Sequence, residues 1–68
     1  MYLNDDEKFY KRNIDERIER DGILEVTYEI SNGNRCSIYH NGKGILMHLT
    51  LEQAYWVVNG ILNYELER

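Results

Sequence analysis

The sequence predicts an α+β domain of order α-β-β-β-α, in which a three-stranded antiparallel sheet is covered on one face by a C-terminal helix. Three observations carry that expectation. Short runs alternate between apolar and polar residues, Gly-containing turns separate them, and a capped amphipathic segment follows the last run. All 68 residues fit one domain.

The first element is a helix over about 5–20. Asn4 stands before Asp5, Asp6 and Glu7, which matches an N-cap, acids in the first turn and a capping-box glutamate at N3. Gly22 is the natural stop. Tyr10, Ile14 and Ile18 form a thin apolar stripe flanked by Phe9, so this helix depends on tertiary contacts. Glu7 with Lys11 and Glu16 with Arg20 are the expected i,i+4 ion pairs.

Strands follow over about 23–30, 35–40 and 45–49. In the first, Leu24, Val26, Tyr28 and Ile30 share one face and Glu25, Thr27 and Glu29 the other. A two-residue type I′ turn at Asn41 and Gly42 sets Ile38 opposite Ile45 and Cys36 opposite Met47, with all four on the inner face. The same turn at Asn32 and Gly33 would strand Cys36 and Ile38 beside Glu29 and Thr27. An odd loop around 31–34 is therefore expected, with Ile30 opposite Cys36 and Tyr28 opposite Ile38.

The second helix, about 51–66, has the clearest start in the chain. Thr50 is its N-cap, Gln53 closes the capping box, and Leu49 with Ala54 makes the hydrophobic staple. Leu51, Ala54, Tyr55, Val58, Ile61, Leu62 and Leu66 fall in one arc that covers the sheet. Trp56, Val57, Gly60 and Tyr64 fall on the other side, where a helix lying on a sheet has no need of a tryptophan. Either the first helix packs there, or the stripe is an interface built on residue types common at binding hot spots. Tyr39, Leu46 and His48 are candidates of the same kind on the outer sheet face.

Composition limits the function. A hydrophobic share of 43% with 29% charged residues fits a folded domain, and a net charge of −4 argues against direct phosphate-backbone binding. No apolar run spans a bilayer, so no membrane partner is expected. One cysteine and no basic leader segment point to the cytoplasm. A chain this short buries only about 60% of its unfolded surface. With neither a disulfide nor a metal site, a homodimer is the expected supplement.

Chemistry finds little footing. Cys36, His40 and His48 are the only soft metal ligands, and the expected register turns Cys36 and His48 to opposite faces. Cys36 and His40 stand two strand steps apart, roughly 6.6–7 Å, too far for a nucleophile and its base. Gly42, Lys43 and Gly44 belong to a hairpin and lack the helix N-terminus of a phosphate loop. Glu25 and Glu29 have no cleft in which to act as a glycosidase dyad. No enzyme, cofactor or metal is expected.

The acid-rich segment 1–22 invites comparison with nucleic-acid mimics, but seven acidic and five basic residues leave it at only −2. In size and style this acidic, proline-free domain, rich in Asn, Ile, Tyr and Glu, resembles the compact proteins that phages and mobile elements encode against host proteins, anti-CRISPR and other anti-defence inhibitors among them. The resemblance implies stoichiometric binding of a host protein or protein–nucleic-acid complex, without a cofactor and as a homodimer. The expected function is thus a non-enzymatic interaction protein. Its alternatives are an oligomer that sequesters a nucleotide-like ligand between Tyr39, His48, Trp56 and Lys43 or Arg35, and a mimic or accessory subunit of a nucleic-acid enzyme.

Overall fold

The structure, a computed structural model, describes residues 3–30 and 33–66, with side chains as far as Asn63. Its elements are α1 (Asp5–Asp21), β1 (Glu25–Glu29), β2 (Arg35–His40), β3 (Lys43–Thr50) and α2 (Leu51–Leu66). The sheet is antiparallel in the order β1-β2-β3, so the architecture is the α-β-β-β-α arrangement expected.

Both helices start as the sequence dictates. The Asn4 side chain accepts from the Glu7 amide at 2.8 Å, and the Glu7 carboxylate accepts from the Asn4 amide at 3.0 Å. Gly22 closes α1 in the left-handed conformation, φ 66, donating to the Ile18 carbonyl at 2.8 Å. The Thr50 hydroxyl accepts from the Gln53 amide at 3.1 Å while Gln53 Oε1 accepts from the Thr50 amide at 3.0 Å. Thr50 is also the last residue of β3, so strand passes into helix with no residue between them.

Both helices lie side by side on one face of the sheet. Ile14 of α1, Leu51, Ala54, Val58 and Leu62 of α2, and Leu24, Cys36 and Ile38 beneath them form a single buried core. At roughly 1.5–3 kcal/mol per fully buried large aliphatic side chain, this cluster is the main source of stability. α1 therefore neither covers the Trp56 side of α2 nor beds on the outer sheet face. The ion pairs of α1 also differ from those expected. Lys11 pairs with Asp15 at 2.9 Å and Arg17 with Asp21 at 2.5 Å. The Glu7 carboxylate is already taken by the cap and by the Asn34 amide at 3.2 Å, while Arg17 reaches α2 at Asn59 (3.2 Å) and Asn63 (2.7 Å).

The strand register departs from the expected one in two places. Tyr28 pairs with Cys36 and Val26 with Ile38, two residues off the expected alignment. Because the shift is even, the predicted faces survive. Glu29 pairs with Arg35 to close the hairpin, and part of the expected loop, Ser31 and Asn32, lies outside the described residues. On the other side, Asn41 (φ 52) and Gly42 (φ 79) form the two-residue turn, and His40 pairs with Lys43. Beyond it β3 bulges twice, so that Ile38 meets Leu46 rather than Ile45 and Cys36 meets Leu49 rather than Met47. The left-handed backbone of His48, φ 58, marks the second irregularity, where its amide donates to the Ser37 hydroxyl at 3.1 Å.

Candidate functional site

The residues set apart in sequence divide into two groups in space. Trp56 is 65% exposed, and its ring meets Tyr55 edge-on with centroids 5.1 Å apart. Tyr55 in turn lies 5.2 Å from Tyr10 and 5.9 Å from Phe9, and Phe9 stands 5.6 Å from Tyr10. The result is a continuous four-ring surface across the α1–α2 groove. Its inner pair, Tyr10 and Tyr55, is half-buried, whereas the outer rings of Phe9, 46% exposed, and Trp56 face solvent.

Why the rings meet follows from the helix–helix contact. Tyr55 and Asn59 are one turn apart on α2 and face α1, where Arg17 holds Asn59 and Asn63. Tyr10 extends the inward stripe of Ile14 and Ile18 by a turn, which brings it under Tyr55. Burial and the nearby Glu52 and Asp6 carboxylates raise the Tyr10 phenol above its ordinary pKa. Both acids also line the groove between the N-termini of α1 and α2, so the aromatic surface is bordered by negative charge. Trp56 stands out in the sequence, whereas the contacts among Phe9, Tyr10 and Tyr55 arise from helix placement, which no local pattern encodes.

The other members of the α2 stripe behave differently. Val57 is half-buried and packs against the core, and Gly60 is exposed, with open space where a Cβ would stand. Among the described residues no close approach calls for that glycine. Tyr64 belongs to α2, but its side chain lies outside those described.

On the sheet, Tyr39 pairs with Gly44, while Leu46 pairs with Ile38 and does not join Tyr39 as expected. Met47 takes that place: its Sδ lies 2.9 Å from the point a Cβ on Gly44 would occupy, beside the Tyr39 ring. His48 Nδ1 stands 3.2 Å from Glu29 Oε1, and Ser37, whose hydroxyl its amide meets, is buried. Tyr39, Leu46 and His48 thus do not form one patch.

The chemistry of the interior is that of a clamp. Tyr28 donates to Asp15 Oδ1 at 2.5 Å and carries Lys11 Nζ 4.6 Å above its ring centre, joining β1 to α1. Burial, then the Asp15 hydrogen bond, raises the Tyr28 phenol strongly. Cys36 is fully buried and its thiol is pushed up to about 11, mainly by that burial. A neutral thiol without solvent access is poorly suited to nucleophilic attack. Among the described residues no group of three or more His, Cys, Asp or Glu side chains is placed to hold a metal ion, and no helix is long and apolar enough to cross a membrane. No family model matches this chain, and no curated protein or solved structure matches it.

Proposed function

We propose that this chain is a small non-enzymatic interaction protein that modulates or inhibits a host protein or protein–nucleic-acid complex by stoichiometric binding. Its style is that of the anti-defence inhibitors of phages and mobile elements, and its working form is a homodimer in the host cytoplasm. One observation supports the reading above others: Trp56, at 65% exposure, and Phe9 both meet the Tyr55 ring and form one pre-assembled aromatic surface. Aromatic anchors of this kind dominate binding energy when a partner covers them, and rigid neighbours lower the entropy lost on docking. The Asp6 and Glu52 border suits a partner that offers arginine or lysine, whose cation can lie over a ring face.

Affinity capture from host lysate, run in parallel with wild type, Trp56→Ala and Phe9→Ala, tests this. A partner held in fixed ratio by wild type and lost from both variants, with their melting temperatures preserved, is the expected result. A partner retained equally by all three would move the contact elsewhere, and catalytic turnover of any captured component would end the non-enzymatic reading.

A further inference from the structure

The two edges of the sheet are built on opposite plans. β1 exposes Glu25, Thr27 and Glu29, and charge on an edge strand discourages pairing with another chain. β3 is the other edge, and residues 43–48 are all exposed, including three consecutive apolar side chains: Ile45 at 45%, Leu46 at 39% and Met47 at 48%. Lys43 is its only formally charged residue. An outward row of backbone donors and acceptors flanked by hydrocarbon is a template for strand addition.

We infer that the β3 edge is the seam on which a second copy of this chain docks: the two β3 strands pair antiparallel about a two-fold axis, giving one six-stranded sheet with four helices on the same face. The inference rests on the homodimer of the proposed function and gives it a surface separate from the aromatic one. Strand spacing supplies the geometry. Neighbouring strands lie about 4.8 Å apart, and α2 contacts both β2 and β3. An axis midway between paired β3 strands then sets the two α2 axes about 10 Å apart, within the range at which helices pack.

The side chains for that helix contact are present. Tyr55 and Asn59 face α1, so Val57 and Ile61, two residues further on, lie on the opposite flank. Both are half-buried, and Ile61 lines a depression together with Ile45 of β3. Charge agrees with the arrangement. In a chain of net −4, most surfaces brought together about a two-fold would set carboxylates against each other, whereas 43–50 contains none, and those of Glu29 at His48 and Glu25 at Gly42 stand at its two ends. Antiparallel pairing also keeps the two Lys43 side chains at opposite ends of the seam, each beside Met47 of the other copy. The bulge between Gly44 and Leu46 twists the middle of the seam and the left-handed His48 ends it, so pairing is confined to 43–47.

Sedimentation across the micromolar range, with wild type, Leu46→Lys and Met47→Lys, tests the seam. Both positions are exposed, so each variant should keep the wild-type circular dichroism. Wild type is expected to dimerise, and each lysine should raise the dissociation constant at least about tenfold. Isotope-filtered NMR on mixed labelled and unlabelled wild type checks the pairing without mutation, and should show contacts between residues 43–47 of the two copies. A wild-type monomer at every concentration overturns the seam and the homodimer together. A wild-type dimer unmoved by either lysine, or one with no contacts between the β3 strands, overturns the seam alone and leaves a dimer formed elsewhere.

Discussion

The two sides of the helical layer use the same residue types for opposite ends. On its underside, Ile14, Leu51, Val58 and Leu62 are fully or almost fully buried against Cys36 and Ile38. On its upper side, Phe9 and Trp56 keep about half or more of their surface in water although Tyr10 and Tyr55 beneath them are half-buried. A lone exposed aromatic needs no explanation, but a contiguous group rimmed by acids does. Burial fixes the fold from below, and what remains above is free to recognise something else.

Leu62→Ala is the harshest test of that division. Truncating a fully buried leucine costs roughly 2–5 kcal/mol, comparable with the entire stability of so small a domain. The variant should be largely unfolded by circular dichroism at room temperature. A cooperative melt near wild type would mean that the underside is not the core.

Alkali attacks the same side by another route. Burial raises both Cys36, up to about 11 from an ordinary 9.0, and Tyr28, so the fold favours their neutral forms. That contribution is complete below the unfolded thiol pKa and is lost as pH climbs from about 9 through 11, by up to roughly 2–3 kcal/mol for Cys36. The denaturant midpoint should fall over this interval, and Cys36→Ser should flatten its thiol part. A midpoint constant from pH 8 to 11 would place the thiol in water.

Trp56→Ala should separate the two sides most clearly. With 65% of the side chain already exposed, folding stability should change by less than about 1 kcal/mol, while partner affinity drops by about 2 kcal/mol or more. Calorimetry of folding and of binding on one preparation decides it. A melting temperature lowered as far as that of Leu62→Ala would erase the distinction.

The smallest effect has the opposite sign. Gly60 is helical and exposed, with open space among the described residues where a Cβ would stand, so Gly60→Ala should stabilise the subunit by about 0.5–1 kcal/mol. A loss of stability instead would show that another backbone approaches there in solution.

Local chemistry was readable from the residues and long-range placement was not. Asn4 with Glu7, Thr50 with Gln53, and the stop at Gly22 act within a few residues of themselves, and each stands where its type requires. The turn at Asn41 and Gly42 is of the same kind. Register across β3 fails for a physical reason. Alternation assumes one residue per step, whereas the β3 bulges insert extra residues; Gly44 flanks the first but reads as part of the turn, and at the second His48 adopts φ 58 despite its side chain. The interface residues divide likewise. Trp56 stood out because it fell off the buried arc, but its union with Phe9, Tyr10 and Tyr55 depends on α1 lying beside α2. That choice is made by Arg17 reaching Asn59 and Asn63, forty-two and forty-six positions away.

The junction at Thr50 has a mechanical consequence. With no loop to absorb a rotation, β3 and α2 turn as one lever, and Trp56 sits six residues, less than two turns, from the fulcrum. A load taken up along β3 should therefore re-aim the indole, and a grip on the indole should pull on β3. Such coupling would act in both directions, as linked equilibria require. Because Trp56 is the chain's single tryptophan, its intrinsic emission reports from one position on both events.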